Sequence, residues 1–266
     1  MKLSNSIESI TIGSFDGIHL AHQELIKRAD GVVVIERNGG YLTSGYKRSN
    51  FFNKPCFFYH FNKIKSLTPQ EFVLKLESEF PSLKKIIIGY DFYFGRDKAG
   101  DSQKLKELFK GEVVVVDEVK IDNIPVHSRT IKAYLKDGDI KMANRLLGRE
   151  YVIYGNIVKG QGLGKKELVP TLNLRVKHYQ LPKDGVYATR TKIYNIWYKS
   201  VTFIGHRVST DGFYAIETYI INNDIGEVVG EIVVEFRDFI RGNRKFKNLQ
   251  ELKEQIFRDI EEVKNE

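Results

Sequence analysis

Cysteine is almost absent: Cys56 is the only one in a chain of 266 residues. One thiol cannot close an internal disulfide, and it cannot build a zinc site of several cysteines. Long apolar runs are missing too. None approaches the roughly 20 residues that a membrane helix needs. The opening stretch, MKLSNSIESITIG, lacks the apolar core of a secretory signal. No block of roughly five or six like charges occurs. Together these absences predict a soluble, cytosolic protein with no membrane partner.

What is present is globular in character, with 42% hydrophobic and 12% aromatic residues. The length suits one large domain or two small ones. Lysine and arginine number 42 against 34 acidic residues, for a net charge of +8. The lysines are spread along the chain. That pattern fits a solvated basic surface suited to phosphate-bearing ligands, and nucleic acid is not an expected partner.

The hydrophobic pattern divides the chain near Gly148. Before it, strand and helix patterns alternate. Residues 8–12 read as a strand, His19 to Ala29 as a helix, and Val32 to Ile35 as a short buried strand. Thr68-Pro69-Gln70-Glu71 has the form of a helix start: a threonine cap, proline at the first position, and glutamate three after the cap. Lys85 to Ile88 and Val113 to Val116 are further buried-strand runs, with a helix pattern between Asp101 and Phe109. Such alternation implies a parallel sheet with helices on its faces. After Gly148 the chain is mostly strands, at Tyr151–Tyr154, Val186–Thr189, Val201–Ile204, Tyr214–Ile221 and Glu231–Phe236. A helix capped by Asn248 ends it. This half reads as an antiparallel barrel closed by one terminal helix.

The first candidate site is GSFDGIHLAHQ, residues 13 to 23, where a strand runs into a helix. Helix starts offer free backbone N–H groups to anions. Gly13 and Gly17 let backbone approach a ligand. His19 and His22, three apart, fall on roughly one helix face. Imidazole N–H groups there stabilise charge that builds on a phosphate under attack. Two histidines with no carboxylate pair or cysteine are a weak zinc signal.

These residues resemble the GxFDGxHxGH signature of the adenylyltransferase module in bacterial bifunctional riboflavin kinase/FAD synthetases. Ala21 stands where the family has glycine. The resemblance continues at Gly89-Tyr90-Asp91-Phe92-Tyr93-Phe94-Gly95, similar to the family's GxDFxFG. It implies that Asp91 and Phe92 face nucleotide or flavin. Val126-His127-Ser128-Arg129-Thr130-Ile131-Lys132 stands where the superfamily carries ISSTxxR. Ser128 keeps one hydroxyl, Arg129 replaces the threonine and Lys132 the arginine. The family's proline-histidine-proline is absent, and Asn38-Gly39-Gly40-Tyr41 stands in its neighbourhood. By this resemblance Gly13, Phe15, Asp16, Gly17, Ser128, Arg129 and Lys132 hold ATP, and His19 and His22 are catalytic.

The second candidate is Gly160-Gln161-Gly162-Leu163-Gly164-Lys165-Lys166. It fails the P-loop spacing and is followed by a strand pattern, so it is neither a P-loop nor a dinucleotide fingerprint. On composition alone a hairpin loop fits equally well. It is followed by Pro170-Thr171-Leu172-Asn173 and Gly185-Val186-Tyr187-Ala188, which resemble the PTAN and GVYA motifs of the riboflavin kinase domain. The resemblance assigns Gly160, Gly162, Gly164, Lys165, Pro170, Thr171 and Asn173 to ATP. Thr171 and Asn173 alternate onto one strand face, where both oxygens can serve one Mg²⁺. Glu217 matches the family's catalytic glutamate, and Arg207 and Arg241 fall where flavin contacts are expected.

The resemblance therefore implies two domains. An α/β nucleotidyltransferase domain with a Rossmann-like parallel sheet occupies 1–148. An antiparallel β-barrel riboflavin kinase domain with a terminal helix occupies 149–266. The implied chemistry makes FMN from riboflavin and FAD from FMN, with ATP as donor, Mg²⁺ as its companion and flavins as substrates and products. Two other readings stay open. The changes around Arg129 and Lys132 are compatible with a riboflavin kinase alone, and the net charge with a non-catalytic flavin- or RNA-binding regulator.

Overall fold

The computed structural model describes residues 6–37, 41–159, 169–223 and 225–265. The chain forms two compact units, residues 1–128 and 129–266.

The first unit is built on a five-stranded parallel sheet. Its strands are β1 (Ser9–Gly13), β2 (Gly31–Glu36), β3 (Cys56–His60), β4 (Lys85–Gly89) and β5 (Glu112–Val116), in the order β3-β2-β1-β4-β5. Every neighbouring pair is parallel. Such strands are covered on both faces, so Val32 to Val34 and Ile86 to Ile88 are fully buried. Helix α1 (Leu20–Lys27) adds Leu25 and Ile26 to the core on one face. Short α2 (Phe61–Ile64), α3 (Pro69–Glu79) and α4 (Ser102–Leu108) add Ile64, Phe72, Leu76 and Leu105 to the other. The expected start of α3 is a full capping box: Thr68 accepts from Glu71 N–H, and Glu71 accepts from Thr68 N–H. A two-stranded ribbon, β6 (Lys120–Ile121) with β7 (Ile124–Pro125), follows β5.

The strand order puts the first site at a switch point. The chain leaves β1 for β2 on one side, while β4 lies against β1 on the other. The strand order reverses between β1 and β4, and open α/β sheets bind ligands outside the carboxyl ends of the strands at such a point.

The second unit begins with α5 (Ser128–Asp137), apart from Ser128 itself, and α6 (Ile140–Leu147). The sequence pattern changes at Gly148, which ends α6 in the left-handed region at φ 70°. The compact units part earlier because α6 is tied to the barrel. Asn144 donates to Phe236 O at 2.9 Å and accepts from Tyr151 N at 2.7 Å.

The barrel has six strands: β8 (Tyr151–Val158), β9 (Leu172–Val176), β10 (Gly185–Ile193), β11 (Ile196–His206), β12 (Tyr214–Ile220) and β13 (Glu231–Gly242). It closes in the order β10-β11-β12-β9-β8-β13. Strand alternation divides the side chains of β10 to β12 into two sets. One set, Thr189, Thr191, Ser200, Thr202 and Thr218, is buried and joined hydroxyl to hydroxyl at 2.8–3.2 Å. The other, with Val186, Ala188 and Val201, packs against Ile260 and Val263 of the terminal helix α7 (Leu249–Asn265).

Gly185 pairs with Gly242 between β10 and β13. A Cβ at Gly185 would stand 2.4 Å from Arg241 O and 2.6 Å from the Phe239 ring. Backbone cannot yield as a flexible side chain can. Gly185→Ala is therefore expected to destabilise the barrel by about 1–3 kcal/mol, read as a lower midpoint in denaturant unfolding followed by the single tryptophan, Trp197.

Candidate functional site

In the first unit the turn from β1 into α1 carries unusual backbone. Phe15 and Ile18 have φ of 47° and 45°, and Gly17 has 94°. A β-branched residue at positive φ is strained, and such strain persists only where its surroundings fix it. Phe15 and Ile18 are wholly buried. Asp16 Oδ1 accepts from Leu42 N at 2.7 Å and Thr43 N at 3.1 Å. Ser128 Oγ donates to Asp16 O at 2.7 Å. Phe15 and Asp16, assigned to ATP by resemblance, are thus parts of the turn's scaffold. Ser128 joins them from far along the sequence.

The turn delivers the two histidines. His19 caps α1: its Nδ1 accepts from His22 N at 3.4 Å. A ring nitrogen that accepts carries no proton, so neutral His19 has its N–H at Nε2. The two rings stack at 3.5 Å between centroids. His22 Nδ1 is buried without a protein partner. Burial first, then the nearby His19, Arg48 and His127, hold the His22 imidazole well below its usual pKa. His22 is therefore neutral near pH 7 and still has an N–H to donate. Ala21 is absent from the positive-φ residues and lies inside α1, so its replacement of glycine costs no backbone strain.

The segment after β4 follows the strand next to β1. Asp91 is exposed, whereas Phe92 is half-buried and stacks on Phe94 at 5.7 Å. Phe92 thus also belongs to the core. Tyr90 Oη lies 2.8 Å from Glu118 and 3.0 Å from His127 Nε2. Hydrogen bonds from Lys120 and Tyr90 hold the Glu118 carboxyl down to about 2. This Tyr90–His127–Glu118 group has no signature in the sequence, because its members come from three separate segments. Arg129 is exposed and Lys132 half-buried on α5, in the second unit.

In the barrel, Glu217 stands opposite Asn173 on β9 and Phe203 on β11. Alternation from Asn173 puts Thr171 on the same face. Glu217, Thr171, Arg207 and Arg241 border one cavity with Val186, Phe203 and residues of α7. Asn173 and Arg207 border a neighbouring cavity with Lys159 and Tyr214. Glu217 is thus a carboxylate on the face that α7 covers. Burial pushes its carboxyl above the ordinary range, and Arg207 opposes that shift.

Arg207 Nη1 lies 3.0 Å from Glu217, and Nη2 lies 2.9 Å from Asp211. Arg241 grips Asp259 with Nε at 3.0 Å and Nη2 at 2.8 Å. Both arginines assigned to flavin are thus paired with carboxylates at the cavity wall. Pro170 is exposed. Gly160, Gly162, Gly164 and Lys165 lie outside the described residues, as do Asn38 to Gly40. Among the described residues no cluster of three or more His, Cys, Asp or Glu is placed to hold a metal.

Comparison with known proteins places these two sites in context. A family model described as riboflavin kinase matches residues 147–266, and one described as FAD synthetase matches 50–130. A bifunctional riboflavin kinase/FMN adenylyltransferase of Buchnera aphidicola (subsp. Acyrthosiphon pisum) is 30% identical, over 98% of this chain and 93% of its own length. The protein of the same description from Listeria monocytogenes is 25% identical, over 96% and 91%. A crystal structure from Streptococcus pneumoniae superposes with a TM-score of 0.87 at 27% identity, covering 99% of this chain and 96% of its own. That protein is described as a macrolide-efflux protein. Among the described residues here, no helix is long and apolar enough to cross a membrane. By relatedness over nearly its whole length, the chain belongs to the bifunctional riboflavin kinase/FMN adenylyltransferase family.

Proposed function

We propose that this chain phosphorylates riboflavin to FMN in its barrel and adenylylates FMN to FAD in its N-terminal domain, with release of pyrophosphate. The reading is supported by two placements: both histidines lie just after β1, beside the segment that follows β4, and Glu217 pairs with Asn173 and shares a cavity with Thr171. Residues 1–148 are taken as the adenylyltransferase domain and 149–266 as the kinase domain. A cytoplasmic setting goes with this reading.

In the barrel, Glu217 takes the proton of the ribityl 5′-hydroxyl as its oxygen bonds to the γ-phosphorus of ATP and the bridge to ADP breaks. Burial raises its pKa and makes it a stronger base than an exposed glutamate, while Arg207 favours its ionised form. Thr171 and Asn173 offer a hydroxyl and an amide oxygen, hard donors that suit Mg²⁺ alongside substrate phosphates. When bound, Mg²⁺ supplies charge neutralisation on those phosphates. The flavin ring is assigned to the apolar wall beneath α7, near Arg241.

In the first domain an FMN phosphate oxygen attacks the α-phosphorus of ATP, and pyrophosphate leaves. His19 and His22 donate N–H groups to the charge that builds there. The resemblance assigns Arg129 and Lys132 to the leaving pyrophosphate and Ser128 to ATP. Lysine is a point charge without arginine's planar fork, so this grip differs from the family pattern.

A product assay with Mg²⁺ and ATP tests the reading, with riboflavin in one tube and FMN in the other. FAD in both is expected. FMN without FAD would reduce the chain to a kinase, and no conversion would leave a binding protein. His22→Gln is expected to slow FAD formation by about 100-fold and to leave riboflavin phosphorylation at its wild-type rate. The kinase should lose activity as pH falls through the raised pKa of Glu217, because only the carboxylate accepts the proton. Arg207 opposes that rise, so Arg207→Gln moves the acid limb of kcat/KM for riboflavin to higher pH. An unmoved limb would remove Glu217 from the role of base.

A further inference from the structure

Arg48 is the one wholly buried arginine among the described residues, with a side-chain exposure of 0%. It lies in a short 3₁₀ segment, Gly45–Phe51. No motif drew attention to it. Its Nη1 is used: it donates to Glu36 and, at 3.2 Å, to Gly45 O. Its Nε and Nη2 are buried with no protein partner. A guanidinium carries five N–H donors, and donors left bare in a desolvated place are costly. Glu36 and Gly45 explain why the residue is held, but not why half of its fork makes no hydrogen bond.

The position of Arg48 supplies a reason. Its guanidinium lies 4.8 Å over the Tyr41 ring. The next two residues, Leu42 and Thr43, are those whose amides hold Asp16 in the β1–α1 turn. That turn sets His19 and His22 at the start of α1. His22 Nδ1 is also buried and bare, and the charge of Arg48 acts on the His22 ring. Two nitrogen atoms of Arg48 and one of His22 are thus buried without a protein partner, on residues near enough for the charge of Arg48 to act on the His22 ring. His19, His22, Arg48 and His127 crowd basic groups together there. Glu36 answers Arg48, and Glu118 lies 3.4 Å from His127. An anion of higher charge relieves that crowding.

We propose that Arg48 is a phosphate-binding residue of the adenylyltransferase site, whose free Nε and Nη2 grip the ATP polyphosphate beside His22. The assignment rests on the adenylyltransferase reading above. It gives the site a planar guanidinium fork of its own, where the motif at residues 126–132 ends in Lys132 instead of arginine.

The test uses the full chain and inorganic pyrophosphate, the product of adenylyl transfer, titrated by calorimetry with Mg²⁺ present. Arg48→Lys is expected to weaken pyrophosphate binding by about tenfold or more and to raise the KM for ATP in FAD synthesis more than it lowers kcat. Glu36→Gln, which removes the structural partner but keeps the guanidinium, should bind pyrophosphate within about twofold of wild type. Riboflavin phosphorylation, housed in the barrel, should be unchanged in both. Should Arg48→Lys fail to fold, the wild-type protein still decides. The Arg48 Nε–H resonance, assigned from its own backbone, should shift as pyrophosphate is added. An unmoved resonance, or unchanged affinity in a folded Arg48→Lys that still makes FAD, overturns the assignment alone. No pyrophosphate binding and no FAD from wild type overturns the adenylyltransferase reading with it.

Discussion

The clasp on Asp16 is the constraint on which the first site depends. Three of the four residues from Phe15 to Ile18 have positive φ. Left to itself, such a turn would relax, because neither phenylalanine nor isoleucine favours that region. It is held by the two amide hydrogen bonds to the Asp16 carboxylate and by burial of the Phe15 and Ile18 side chains. The result is an abrupt start to α1, with His19 as cap and His22 one turn on. A relaxed turn would carry the imidazoles away from the helix start and from each other. Backbone strain here is the means by which two ordinary side chains are fixed in one place.

The barrel solves the same problem with parity in place of strain. Strand alternation sends Thr218 into the hydroxyl-lined set and Glu217 to the face beneath α7. A carboxylate amid apolar neighbours would be costly alone, and Arg207 offsets part of that cost. The two effects act in opposite directions on Glu217. Burial raises its proton affinity and the guanidinium lowers it, so a base of intermediate strength results. Arg207 also anchors its own loop, since it meets Asp211 as well as Glu217. The electrostatics of the glutamate are therefore tied to the conformation of residues 207–213.

Much of this was legible in the sequence, for identifiable reasons. Val32–Ile35 and Ile86–Ile88 announce buried parallel strands because a strand covered on both faces needs no polar alternation, whereas Val113–Val116, expected to be buried as well, is only half-buried because β5 lies at the sheet edge. Thr68-Pro69-Gln70-Glu71 announces a helix start because its capping box is local. Glu217 and Asn173 could be named from motifs, yet their pairing across β12 and β9 is a matter of register. What stayed hidden was assembled from a distance. Strand β3, CFFYH, has no clean alternation and flows into α2 with no turn residue. Tyr90, Glu118 and His127 meet only when β4, β5 and the segment before α5 are brought to one edge. Nothing near Arg48 distinguishes it from the other basic residues. Its significance is burial, and burial belongs to the fold. Phe92 was legible as a motif member but not as a core residue, because its packing on Phe94 depends on the loop closing.

The departures from the family motifs weigh differently once the backbone is known. At position 21 glycine's freedom is unnecessary, because the residue is helical, so alanine there costs no backbone strain. At position 127 the change from serine to histidine creates a contact, since the imidazole engages both Tyr90 and Glu118. That links the segment after β4 to the residue next to Ser128, whose hydroxyl reaches the Asp16 turn. The segment after β4 and the Asp16 turn are thereby joined through side chains as well as through the sheet. A motif that looks eroded in sequence can thus be rewired in structure, with a cation and a hydrogen-bond relay taking positions that simple hydroxyls fill elsewhere in the family.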